Sequence, residues 1–239
     1  MAESTLTLTR LQLKEALGEF LGISRTVANW TATAAADVDR ILAKALRSFY
    51  SPLRRTNNPN APVVSHQWSF LIRRATVSLS NGTNLYDLAD DFGGFLDSEL
   101  AFTTSKTWSL KLVEMWRVLE RIQDGTAMPT GITQPLIAAV EPKSFTPATG
   151  QRWQILMWPT PASSLTITGR YRSQPDFISN DAYYPLGGSL HAETLLESCL
   201  AAAEEFQNDS ATLHRERFQQ LLEASIAADK ELHAANSAA

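Results

Sequence analysis

The stretch Trp153 to Pro175, WQILMWPTPASSLTITGRYRSQP, decides the reading of the fold. Two runs with the two-residue alternation of half-buried strands stand on either side of a Pro-Ala-Ser-Ser turn. Gln154 and Ile155 belong to the first run, and Leu165, Thr166, Ile167, Thr168 and Tyr171 to the second. Pro159 and Pro161 have no N–H to donate to a ladder, so the segment is expected to be a hairpin confined to a sheet edge or rim. No residue type with catalytic chemistry lies between the two runs. Such a ribbon offers a surface, which points to binding.

Around this segment, Val63 to Pro175 reads as β-rich. Strands are expected at Gln67 to Ile72, Ala75 to Leu79, Leu136 to Glu141, Gln154 to Trp158 and Leu165 to Arg172, with Ser80-Asn81-Gly82 as a turn between neighbours. The expected arrangement is a small antiparallel sandwich or barrel. Leu110 to Ile122 departs from it: Leu112, Val113, Trp116, Leu119 and Glu120 recur at helical spacing and Gly125 follows, so a short helix packed on the sheet is predicted.

Helical patterns lie on both sides. Thr9 stands three residues before Gln12, a capping-box spacing, with Leu8 and Leu13 placed as a hydrophobic staple. Leu13, Ala16, Leu17, Phe20 and Leu21 follow on one face, and Gly22 is a stop. A second helix from near Thr33 carries Val38, Ile41, Leu42, Ala45 and Phe49 and ends before Pro52. SPLRRTNNPNAP, residues 51–62, lacks periodicity and is read as a loop at a domain boundary. After YYPLGGS, Ser189 is a candidate cap for a helix bearing Leu196, Cys199, Leu200, Ala203 and Phe206. Asp209 or Ser210 is a candidate cap for another bearing Phe218, Leu221, Leu222, Ser225, Ile226 and Leu232. The expected fold class is therefore α+β. Residues 1–62 and 176–239 form an α-helical bundle with a C-terminal tail, and an antiparallel β-sandwich or barrel module of residues 63–175 is inserted between them.

With 239 residues and 44% apolar content the chain can build a real core. It has no apolar run long enough to span a bilayer and no signal-peptide order at its start, so neither membrane insertion nor secretion is expected. Cys199 among Leu195, Leu196 and Leu200 reads as a small buried hydrophobe. The net charge of −4 conceals an asymmetry: from Leu190 onward nine Asp or Glu face three Lys or Arg, which is −6. That balance argues against a sequence-reading DNA binder, which needs a basic face. An acidic helical face can instead meet a basic partner or line a passage for DNA; a solvated surface is the plainer alternative.

Enzyme chemistry finds little support. Asp87, Asp90, Asp91, Asp97 and Glu99 form the most enzyme-like cluster, since paired carboxylates act as acid and base or bind a cation. LADDFGGFLDSE lacks the ligand order of a calcium loop, and Leu88, Phe92, Phe95 and Leu96 look like the packing face of an irregular loop. His66, His191, His214 and His233 have no partner at zinc-ligand spacing, and no nucleophile elbow, phosphate loop or dinucleotide fingerprint occurs. No cofactor or metal is expected. Trp68, Trp108, Trp153 and Trp158 concentrate in the β-rich region, where they either pack the core or stack on sugars, bases or a protein partner. The doublets Arg54-Arg55 and Arg73-Arg74 are surface cations near that region, able to meet acidic neighbours or phosphates.

Three stretches together resemble the head-to-tail adaptor (connector) proteins of tailed bacteriophages. They are the opening LTRLQLKEALGEFLG followed by a helix; LMWPTPASSLTITGRYRSQPDF, similar to the family's strand, Pro-x-Pro, strand, Tyr-Arg and Pro; and DAYYPLGGSLHAETLLESCLAAAEEF leading into two helices. The 110–134 region departs from the family's usual look.

The resemblance implies a non-enzymatic virion protein of the neck, assembled in the host cytoplasm as a ring of about twelve copies, by the heterologous contacts that close rings. The ring would join the portal protein to a tail tube, nozzle or other neck protein and surround the DNA exit channel. It further implies portal docking through the C-terminal tail, here Leu232, His233, Ala234, Ala235, Asn236, Ser237, Ala238 and Ala239. Candidate channel-lining carboxylates are Glu193, Glu197, Glu204 and Glu205, and candidate tail-facing or inter-subunit residues are Arg54, Arg55, Arg73, Arg74 and Trp158. A carbohydrate-binding or glycan-cleaving tail-associated protein is the alternative, using the sheet aromatics or the acidic cluster.

Overall fold

The computed structural model describes residues 3–52, 66–103, 108–124, 134–208 and 213–237. Most of the loop at 51–62, the stop at Gly125 and the caps at Asp209 or Ser210 lie outside these residues. The first elements in chain order are α1 (Arg10–Phe20), α2 (Ala32–Tyr50), β1 (Ile72–Leu79), β2 (Leu85–Asp87), β3 (Phe92–Phe95), β4 (Glu99–Phe102) and β5 (Ser109–Leu112). They are followed by α3 (Met115–Gln123), β6 (Ile137–Pro142), β7 (Trp153–Trp158), β8 (Leu165–Ser173), α4 (Ala192–Asn208) and α5 (Leu213–Ser237). Backbone contacts divide the chain into two units, Met1–Leu71 with Pro175–Ala239, and Ile72–Gln174. Five helices and a nearly closed, barrel-like mixed sheet make the described fold α+β.

In the helical unit the sequence signals act as local physics requires. The Thr9 hydroxyl accepts the Gln12 N–H while the Gln12 side chain accepts the Thr9 N–H, which satisfies two of the donors that a helix start leaves open. Gly22 follows the C-cap Leu21 with φ +71°, the left-handed conformation that glycine adopts at low cost. Thr31 caps α2, just ahead of the expected start near Thr33, accepting the Ala34 N–H at 3.2 Å. Ser189 lies in the single 3₁₀ turn that opens α4.

The apolar stripes then meet. Leu13 and Leu17 of α1, Val38, Leu42, Ala45 and Phe49 of α2, and Leu195, Cys199 and Ala203 of α4 form one core, with Phe218, Leu222 and Ile226 of α5 packed against it. Burial pushes the Cys199 thiol up to about 12, so it acts as an inert apolar group. Trp68 completes this core. Gln67 to Ile72, expected as a strand, instead makes a 3₁₀ turn at Ser69–Leu71 before β1 begins. The reason is tertiary: Trp68 stacks on Phe49 at 4.8 Å and donates its indole N–H to the Phe49 carbonyl at 2.9 Å, which anchors this stretch to the helices.

The sheet runs β1-β8-β4-β5-β6-β7-β2, with β3 pairing on β8 beside β4. Every pairing is antiparallel except β5 with β6. A parallel pair needs a crossover, and α3 supplies it, seating Val118 on Ala139 and Leu156. Helical spacing from Leu110 therefore misplaced the helix start, because Ser109–Leu112 is strand β5 and only Met115 onward is helix.

The segment 153–175 is not a hairpin. β7 pairs with β6 and β2, whereas β8 pairs with β1, β3 and β4, so neither strand lies at an edge. The end strands of the order are β1 and β2, and β4, β5 and β6 come between β8 and β7. Pro159 and Pro161 sit in the connection, where the Pro161 carbonyl accepts the Gly82 N–H at 3.0 Å. The Ser80-Asn81-Gly82 turn is present, but the strands it joins do not pair with each other. Inside the sheet Leu79, Phe92, Leu100, Phe102, Leu110, Ile155, Met157, Ile167 and Tyr171 form a second core.

Candidate functional site

The acidic cluster folds as strands and strand ends rather than as an irregular loop, and each carboxylate has a partner. Lys143 reaches Asp87 at 2.7 Å and Arg152 reaches Asp90 at 3.0 Å. Asp91 receives Arg73 at 2.9 Å and the Tyr171 hydroxyl at 2.8 Å, while Glu99 accepts the Ser109 hydroxyl. Asp97 takes the Arg170 guanidinium at 2.7 Å and the Arg170 backbone N–H at 2.9 Å. The Arg170 hydrogen bonds hold the Asp97 carboxyl below its usual range. Burial, followed by the bond to Asp91, raises the Tyr171 hydroxyl above its ordinary value. These contacts clasp β2, β3 and β4 to β1, β5 and β8 and to the ends of β6 and β7. Among the described residues no cluster of three or more His, Cys, Asp or Glu could hold a metal ion.

The carboxylates of α4 are likewise engaged. Glu197 is 2% exposed and contacts His214 at 2.8 Å and Arg217 at 3.2 Å. Glu204, also buried, accepts the His214 backbone N–H at 3.2 Å. Glu205 pairs with Lys44 and with Arg215 at 2.9 Å, and exposed Glu193 meets Arg217 at 3.3 Å. They tie α4 to α5 and α2. A groove of about 480 Å³ between α2 and α4 has Ile41 and Ala202 beside Arg40, Lys44, Arg47, Glu205 and Phe206.

Of the arginine doublets, Arg54 and Arg55 lie outside the described residues. Arg73 is bound to Asp91, and Arg74 is exposed on β1. Trp158 packs against the Val118 cluster with Arg121 over its ring at 5.8 Å. Trp153 packs on the sheet core, while Trp108 is 59% exposed. Leu232 is exposed on α5, and the helix backbone continues through His233, Ala234, Ala235 and Asn236 to Ser237; Ala238 and Ala239 lie outside the described residues. No helix among the described residues is long and apolar enough to cross a membrane.

Two buried polar networks escaped the sequence reading. Arg10 and Lys14, both on the buried side of α1, reach Asp39 of α2 and Asp181 of the loop before α4. Asp181 and Tyr183 also accept the Leu11 and Arg10 backbone N–H groups, so this loop covers the start of α1. The second network centres on Asp229 of α5, which is 2% exposed. It takes the Ser69 N–H at 3.1 Å, the Ser69 hydroxyl at 2.5 Å and His66 at 2.9 Å. His66 and His191 both pack edge-on against Trp68. A signal was available: Ser225 and Asp229 fall on the otherwise apolar stripe of α5 at i, i+4, where a polar residue needs a buried partner.

No curated protein matches this sequence. The model of one protein family, described as SU10 adaptor protein, matches residues 9–238.

Proposed function

The chain belongs to the SU10 adaptor protein family, head-to-tail adaptors of tailed bacteriophages, and on that premise we propose that it works by assembly, as a ring between portal and tail. The family gives the coarse role, a structural adaptor of the virion neck. The finer reading is a closed ring of about twelve copies built by heterologous contacts, around the DNA exit channel and bound on its other side to a tail or neck protein.

One observation carries this reading: the family match runs from residue 9 to residue 238, through both units and nearly to the end of the chain. The engagement of the acidic cluster and of the α4 carboxylates supports it, since these groups brace the fold rather than face a substrate. For the same reason the α4 carboxylates serve the bundle, and we do not assign them to the channel wall. The portal-docking element is the end of α5 with the tail, Leu232 to Ala239. A sugar-binding surface is less well supported, because Trp68, Trp153 and Trp158 pack against apolar clusters.

Native mass spectrometry of the protein, alone and mixed with its portal, tests the proposal. Rings, or monomers that assemble on the portal, are expected, and a chain ending at Glu231 should keep the thermal unfolding profile of the full chain yet fail to join the portal. A monomer indifferent to the portal overturns the reading.

A further inference from the structure

The outer face of the β1–β8 ladder has an unusual composition for a folded surface. Along β1, Ile72, Arg74, Thr76 and Ser78 point to the side away from the core, and their registered partners on β8 are Arg172, Arg170, Thr168 and Thr166. The alternate positions Ala75, Val77, Leu79, Leu165, Ile167 and Tyr171 supply the core side. Arg74 stands directly opposite Arg170, with Arg172 on the diagonal. Like charges at such cross-strand distances oppose folding. Among the described residues only Asp97 relieves them, through Arg170. Arg74 and Arg172 have no ion-pair partner among the described residues, and no acidic residue shares their face of the two strands.

We propose that this face, built on Arg74 and Arg172 beside the Asp97-bound Arg170, docks the phosphate backbone of duplex DNA without reading its sequence. Guanidinium groups fit phosphate oxygens in paired geometry, and serine and threonine hydroxyls are common partners of the same oxygens. Exposed Thr76 and Ser78 continue the row beyond the arginines, so a strand of phosphates can lie along the ladder. The face offers no groove-filling helix or base-reading amide, which limits it to backbone contact. The other basic surface, Arg40, Lys44 and Arg47 of α2, suits the role less well: Arg40 is paired with Asp37 at 3.2 Å and Lys44 with Glu205. The inference rests on the channel reading only for where the duplex comes from.

The test is amide NMR of the full chain, titrated with a 12-base-pair duplex of mixed sequence at low salt. Shifts should concentrate on Thr76, Ser78, Thr166 and Thr168, and affinity should fall about 10- to 40-fold between 50 and 200 mM salt, as two or three phosphate contacts require. Arg74→Gln with Arg172→Gln should abolish the shifts at an unchanged or higher Tm, and Thr76→Glu, which adds an anion to an otherwise intact face, should do the same. Absence of shifts at millimolar duplex, shifts centred on residues 40–47, or equal binding by the variants would overturn the proposal. Equal binding of poly-glutamate would overturn it too, reassigning the face to an acidic protein. Rings on the portal without duplex binding would sink this inference alone; duplex binding by a chain that ignores the portal would sink the adaptor reading alone.

Discussion

Asp229 and His191 show how much of this molecule depends on single buried polar groups. Asp229 gathers Ser69 and His66 beneath Trp68, so removal of its charge leaves buried donors poorly matched. Asp229→Asn keeps an acceptor for Ser69 and is expected to cost about 2 kcal/mol, read as a lower urea midpoint at constant slope. A loss below about 0.5 kcal/mol would mean that the network is incidental to stability. His191 is 2% exposed and its Nδ1 has no hydrogen-bond partner among the described residues. Burial, which Asp229 opposes and His66 reinforces, holds its imidazole below the ordinary value. The folded chain thus takes up this proton less readily than the unfolded chain. Its contribution is whole above about pH 6.5 and declines as pH falls from there toward the lower folded value. Between pH 7 and 5.5 the wild-type midpoint should fall more than that of His191→Gln; parallel declines would show that the histidine is not the titrating group.

At the scale of elements, the tightest constraint is the packing of Leu100 of β4 on Gly169 of the paired strand β8. A Cβ on Gly169 would come within 2.3 Å of the Leu100 side chain, which is itself buried. Gly169→Ala is expected to destabilise the sheet by about 1–3 kcal/mol through overpacking. Shortening the neighbour, as Leu100→Val in the same chain, should recover part of that loss, and a fully additive double mutant would exclude the clash as its cause. The longer strands and the five described helices, α3 with a misplaced start, were legible because alternation or helical spacing repeated over enough residues. The strands β2 to β5 were not, since each spans three or four residues and offers at most two inward positions. Their apolar members Phe92, Leu100 and Leu110 look the same in a strand as in a packed loop.

Among the described residues the helical unit has one apolar core, and the sheet unit has another with the smaller Val118 cluster beside it under α3. A chain so divided is expected to unfold in calorimetry as two components rather than as one two-state event. Asp229→Asn should then lower only one component and Gly169→Ala only the other, with additive effects in the double mutant. A single transition shifted by both substitutions would mean that the units unfold together. The fold class, the capped start of α1, the apolar faces of the helices and the β-rich middle were determined by the sequence itself, because propensity, capping and periodicity act between residues near each other in the chain. Strand pairing was decided only by the tertiary structure. Trp153 to Pro175 has the pattern of two strands, but whether they pair with each other or stand apart, with β4, β5 and β6 between them, depends on partners up to about a hundred residues away along the chain. The same holds for the acidic cluster, whose carboxylates became braces only when folding brought Arg73, Arg152 and Arg170 against them. Long-range pairing brings together residues whose spacing in the chain carries no periodic signal, so their chemistry is settled by topology.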